Sequence, residues 1–144
     1  MNKSRVSLLL VFFGLAGCAH GPMASVPSVS SPDEAAEVIV IRRKSAVESP
    51  LSYIVMLDGQ EIFRMKAGDY ASFKVEPGTH SIGVEWLYSW PSKWREMTLI
   101  VACDPRTKYY FLVRPRGTMT IIEPISEQRG LELVSKSTYK PMTQ

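Results

Sequence analysis

Two cysteines, two histidines and three tryptophans are the side chains through which this chain could do chemistry. Cys18 stands directly behind Leu15, Ala16 and Gly17. The small residues leave room for a bulky group on the thiol and for cleavage of the backbone beside it. Cys103 is alone, with Asp104 next to it and Arg106 and Lys108 close in sequence. A lone cysteine reads as a buried, inert thiol; the alternative, a reactive thiol or an intermolecular bridge, needs an exposed electropositive setting. With Cys18 engaged elsewhere, an intrachain disulfide framework is excluded. His20 and His80 are isolated, and no cysteine stands at zinc spacing from either. His80 falls at the start of an expected strand, where its ring packs at the rim of a core and bonds backbone. No serine lies in a G-x-S-x-G setting and no glycine-rich phosphate loop is present. Glu76, Glu85 and Glu96 read as solvent-facing strand and turn residues. The expectation is therefore a non-enzymatic protein with no catalytic residues, no metal and no cofactor.

One aromatic stretch could bind a partner. Residues 86–94 read W-L-Y-S-W-P-S-K-W and hold all three tryptophans. Tyr88, Trp90 and Trp94 form a candidate binding loop between two strands, suited to stacking on glycan rings or packing against a protein. In the alternative, Trp86 is core and Trp90 and Trp94 cap one end of the domain. A third arrangement seats the loop among lipid headgroups, where Trp and Tyr sit well.

The elements that would position these residues begin with the amino-terminal segment. Lys3 and Arg5 precede an apolar run of eleven residues, 6–16. A transmembrane helix needs about twenty apolar residues, so this run is too short to span, and its layout is that of a secretory signal peptide. Its end resembles the lipobox of bacterial lipoproteins, with Leu15, Ala16 and Gly17 as the signal-peptidase recognition residues and Cys18 as the lipidation site. The competing reading is an ordinary signal peptide followed by an incidental cysteine. Two or more acyl chains on Cys18 would anchor the chain to a membrane stably. Ala19 stands where an Asp resembles an inner-membrane retention signal, which implies the outer membrane, facing the periplasm of a bacterial cell envelope. Loss of residues 1–17 would remove Lys3 and Arg5 and no acid, taking the formal charge from +3 to about +1 and leaving 127 residues. Nucleic-acid binding, which wants a concentrated basic face, is not expected.

Residues 19–36 hold Pro22, Pro27 and Pro32 among serines and read as a flexible, extended tether. From residue 37 the pattern turns to strands. EVIVIRR at 37–43 is one, ended by Arg42, Arg43 and Lys44 as a solvated, charged strand end, with an anion-binding patch as the alternative. Residues 51–57 are apolar on both faces and read as a central strand. Asp58-Gly59 suits a tight hairpin, Pro77-Gly78 a type II turn. Strands are expected over 60–66, 70–75, 80–87, 95–101, 107–114 and 118–123, with Pro115-Arg116-Gly117 turning the last pair. Residues 126–135 read as a short helix weakened by Gly130, and 137–144 as a tail. Seven to eight short strands between Gly and Pro turns predict an all-β, antiparallel β-sandwich of the Ig-like or prealbumin-like kind over 37–136, with one short C-terminal helix as an option. A closed eight-stranded barrel is the competing architecture.

The runs V-I-V-I-R at 38–42, V-M-L-D-G at 55–59, G-D-Y at 68–70, E-P-G-T-H at 76–80 and K-Y-Y at 108–110 carry a resemblance. They resemble small bacterial lipoproteins carrying a domain of unknown function, and residues 55–84 are similar to PEGA-type surface domains. The resemblance implies a sandwich on a lipid anchor and supplies no catalytic residues. The chain is thus expected to be a membrane-anchored protein-binding or structural module whose aromatic loop or exposed strand edge engages an envelope protein. The alternative is a glycan or peptidoglycan-binding module.

Overall fold

The computed structural model describes residues 27–44, 52–86, 97–116 and 119–139. Among them the chain forms β1 (Ala36–Arg42), β2 (Tyr53–Leu57), β3 (Gln60–Met65), β4 (Asp69–Val75), β5 (Gly78–Trp86), β6 (Met97–Cys103), β7 (Lys108–Arg116), β8 (Met119–Ile125), helix α1 (Glu127–Val134) and β9 (Thr138–Tyr139). Two sheets result, ordered β8-β7-β1-β4-β9 and β3-β2-β5-β6. This is the expected sandwich, not a closed barrel. The inward residues alternate as the strand period demands. Val38, Val40, Phe73, Phe111 and Val113 from the first sheet meet Tyr53, Val55, Phe63, Ile82 and Val84 from the second. Phe63 and Phe73 pack edge to face across the sheets, centroids 6.2 Å apart.

The first sheet is covered on both faces. Ile39, Ile41, Tyr110 and Leu112 point away from the sandwich core and lie under Leu133 of α1, with Val134 against them. That accounts for the nearly continuous burial of β1, whose odd and even residues serve two different cores. Ser126 caps α1 by accepting a hydrogen bond from the Arg129 amide. Gly130 is the residue that lets α1 sit down. A Cβ there would lie 2.2 Å from Cδ1 of Tyr110, so the glycine that weakens the helix permits its seating.

Turn chemistry fixes the hairpins. Asp58 and Gly59 both take positive φ, 50° and 78°, the geometry a two-residue β2–β3 hairpin requires. At the same end of the sandwich lie the start of β1, the end of β4, the start of β5 and the start of β7. We call this the lower end; the upper end holds Arg42, Tyr53, Met65 and Asp69.

Several local expectations are corrected. The pairing is not antiparallel throughout: β1 pairs with β7 in parallel, and β4 with β9 likewise. Between β1 and β7 the chain crosses to the second sheet, returns as β4 beside β1 and crosses again for β5 and β6, which gives the long connection that parallel pairing needs. Arg42 is not a solvated strand end. It is 1% exposed, because its parity is that of Val38 and Val40. Its guanidinium lies 4.0 Å from the Tyr53 ring centroid, and Nη1 donates to the Met65 carbonyl at 3.2 Å, so it fastens the two sheets at the upper end. Arg43 and Lys44 are exposed as expected. β7 runs on through Pro115 and Arg116, which pair with Thr120 and Met119. Pro115 lies beyond the last β1 partner, Val113, so the missing amide costs no bond on that side. Thr138 and Tyr139, in the expected tail, pair with Asp69 and Tyr70, and the two tyrosine rings pack at 5.2 Å. Residues 30–35, read as part of the tether, are fastened to the lower end by polar bonds. Ser30 Oγ donates to Glu76 at 2.7 Å, Lys74 donates to the Pro32 carbonyl at 2.8 Å, and the Arg106 amide donates to the Glu34 carbonyl at 3.2 Å. Apolar periodicity is blind to such docking.

Candidate functional site

A sheet in a sandwich ends in strands whose outer backbone groups lack a strand partner, and natural chains blunt such edges with charge, proline or brevity. Among the described residues three of the four edges follow this rule. β3 carries Glu61 and Arg64 in a bidentate ion pair. β8 contains Pro124 and presents Glu123, which takes two hydrogen bonds from Arg114 of β7 at 2.7 and 3.0 Å. β9 is two residues long and pairs only with Asp69 and Tyr70, so the rest of that edge is β4, which carries Lys74. The fourth edge, β6, has none of these devices. Its sequence, Met97-Thr98-Leu99-Ile100-Val101-Ala102-Cys103, holds no charge and no proline. β5 pairs with it along its full length, from Gly78 opposite Cys103 to Val84 opposite Met97. Met97, Leu99 and Val101 turn inward but are only partly buried, and among the described residues no further strand pairs with β6. On the outer face Ile100 is 72% exposed, the most exposed large apolar side chain described. An uncharged, seven-residue edge with apolar residues on both faces is a template for the addition of a strand.

The lower end gathers the titratable groups. His80 Nδ1 lies 2.7 Å from Oδ2 of Asp58, and Nε2 lies 2.8 Å from the Glu76 carbonyl oxygen. Asp58 also accepts from the Ser81 amide at 2.7 Å. Burial pulls the His80 pKa down, but the bonds to Asp58 and to the Glu76 carbonyl outweigh it and leave the ring's pKa raised. Asp58 is correspondingly lowered, burial being outweighed by the bonds from His80 and Ser81. With both ring nitrogens engaged, the imidazole has no position from which to take a proton from a nucleophile. The arrangement closes a turn: it ties the β2–β3 hairpin to the β4–β5 turn, and Glu76 ties both to Ser30. The rim position and the backbone bond of His80 match the sequence reading; the Asp58 partner was not foreseen.

Cys103 is 4% exposed. Burial, with the negative charges of Asp104 and Asp58, raises its pKa above the ordinary thiol value, which disfavours the thiolate. Tyr109 closes the turn after it, its hydroxyl accepting from the Asp104 amide at 2.9 Å. No group of three or more His, Cys, Asp and Glu side chains with metal-binding geometry occurs among the described residues. Glu85 is half-buried on β5. Leu15, Ala16, Gly17, Cys18, His20, Tyr88, Trp90, Trp94 and Glu96 lie outside the described residues. Among the described residues no helix is long and apolar enough to cross a membrane.

The β6 edge escaped the sequence reading only in part. The alternation of Met97, Leu99 and Val101 and the lack of charge were legible; the position at the end of a sheet was not. No family model, curated protein or solved structure matches the chain.

Proposed function

We propose that this chain is a lipid-anchored, non-enzymatic binding module of the bacterial envelope, and that its partner is an envelope protein that adds an extended segment to β6. The lipid would sit on Cys18, after cleavage behind Leu15, Ala16 and Gly17, and hold the domain on the periplasmic face of the outer membrane. The likeness to small bacterial lipoproteins is part of the support for the anchor. One observation carries the binding reading: β6 alone among the described edges lacks charge, proline and brevity, and it presents Ile100 to solvent. Main-chain hydrogen bonds to β6 would supply affinity, and contacts with Ile100 and its alternate neighbours would supply selectivity. The partner strand would itself be apolar at alternate positions, because a charge opposite Ile100 would be desolvated without a counter-charge.

The test places a photo-crosslinking amino acid at position 100 of the full chain in its native envelope. A discrete adduct with one other protein, abolished by Leu99→Pro in β6 while the domain stays folded, supports the proposal. An adduct with a second copy of the chain transfers the edge to self-assembly. Adducts spread evenly over abundant envelope proteins contradict a dedicated edge site. In the same experiment, loss of adduct only in a Trp90→Ala, Trp94→Ala variant would return the site to the aromatic loop.

A further inference from the structure

At the upper end, the two residues that follow β1 face α1 and the residues just after it across a cleft of about 360 Å³. Its lining includes Arg43, Lys44, Arg129 and Lys136 with a single carboxylate, Glu132. The volume lies within the range of small-ligand pockets. The charges are not balanced. Glu132 is shared between Lys136, which donates to it at 2.8 Å, and Arg129, whose Nη1 contacts its other oxygen. These bonds, that from Lys136 foremost, hold its carboxyl down to about 2, so it stays ionised. Arg129 and Lys136 are thereby held in place by one anion between them. Among the described residues, no carboxylate lies within ion-pair distance of Arg43 or Lys44.

The cleft is also preformed. Gly68 sits at a φ of +88°, and a Cβ there would fall 2.6 Å from Cγ of Lys44. The bare glycine leaves room for the Lys44 stem to lie along the turn before β4. That turn is in turn held from two sides, its Gly68 amide donating to the Arg42 carbonyl at 3.0 Å and its Gly68 carbonyl accepting from Thr138 at 2.8 Å. The last carbonyls of a helix repel anions. Here Ser135 Oγ donates to the Glu132 carbonyl at 2.7 Å and Ser137 Oγ to the Leu133 carbonyl at 2.9 Å, so these oxygens are already occupied.

We propose that this cleft is a binding site for a phosphate-type anion, held by Arg43 and Lys44 with Arg129 and Lys136 behind them. A phosphoryl group supplies up to two negative charges and several acceptor oxygens, which suits a planar guanidinium fork beside ammonium groups. The phosphate could belong to a soluble phosphate ester or to a phosphodiester headgroup. The inference is independent of the β6 reading, since the two features share no residue.

The full chain in nonionic detergent is titrated by calorimetry with inorganic pyrophosphate and, separately, with glycerophosphoglycerol, the headgroup of phosphatidylglycerol without its acyl chains. The same titrations follow for Arg43→Ala/Lys44→Ala, and for Lys74→Ala/Lys108→Ala, which removes equal charge at the lower end. Saturable one-to-one binding of either probe, weakened at least tenfold by the first double substitution and unchanged by the second, is the expected result; the probe that binds identifies the source. Affinity should fall as salt rises. No binding of either probe, or equal weakening by both double variants, overturns the proposal. Because Arg43 and Lys44 are exposed, their loss leaves the thermal midpoint near that of the wild type, which separates lost binding from lost folding.

Discussion

Replacing Gly130 by Ala sets two effects against each other, and the structure decides between them. In an isolated helix the change would stabilise by about 1 kcal/mol, because glycine carries the larger conformational entropy. In this fold the new methyl would lie 2.2 Å from Cδ1, 2.5 Å from Cγ and 2.9 Å from Cβ of Tyr110. Carbon atoms pack at roughly 3.5–4 Å, so relief requires a movement of about 1 Å or more. The contacted atoms are the root of the side chain, not its tip. Tyr110 is 6% exposed, and β7 is held between β1 and β8, so the ring base cannot retreat. Helix α1 must lift instead, loosening Leu133 from Ile39, Ile41 and Leu112. Overpacking of this kind costs about 1–3 kcal/mol, and backbone separation places it near the upper bound. Less the helical gain, Gly130→Ala should lose about 1–2 kcal/mol. Urea unfolding followed by circular dichroism measures this directly. In a Tyr110→Ala background Cγ and Cδ1 are gone and only the 2.9 Å contact with Cβ remains, so the same substitution should cost clearly less there. A Gly130→Ala protein as stable as the wild type, in the Tyr110 background, would refute the close seating of α1.

Arg42→Ala should cost about 2–4 kcal/mol by urea unfolding, since it removes the ring contact with Tyr53, empties buried volume and strips the Met65 carbonyl of a donor. His80 makes stability depend on pH with a definite sign. Its folded pKa is raised, so its contribution is fully present below the unfolded value of about 6.5 and is lost as pH rises through the folded value. The advantage of wild type over His80→Gln should therefore shrink between mildly acidic and alkaline pH; an advantage that grows with pH would contradict the Asp58 bond. Cys103 should resist alkylation in the folded chain and react once urea is added, as read by mass spectrometry of its peptide.

The sequence was most informative where structure is local. Asp58-Gly59 needed only the conformational tolerance of two residues, and the alternation of Ala71, Phe73 and Val75 needed only the strand period. Both are written in neighbouring residues. Arg42 misleads because charge at a strand end ordinarily means solvent; only the cross-sheet approach of Tyr53 and Met65 makes its burial tolerable. Gly130 reads as a defect until Tyr110, distant in sequence, is placed beneath it. The order of strands hid the β6 edge for the same reason. Which strand ends a sheet depends on the parallel β1–β7 pairing and on the β5–β6 register, neither of which is a property of residues 97–103. The docking of Ser30 on Glu76 was equally nonlocal, carried by two polar side chains in a stretch without periodicity.

The account stands most directly on the state of the β6 backbone. Amide hydrogen exchange over residues 97–103 should be measured for the purified chain and for the chain in its native envelope. The amides among residues 99–103 that are directed away from β5 should exchange fast in the purified chain and become protected in the envelope, and Ile100→Lys should abolish this protection while leaving exchange over β2 and β5 unchanged. Equal exchange over residues 97–103 in both settings would contradict the account.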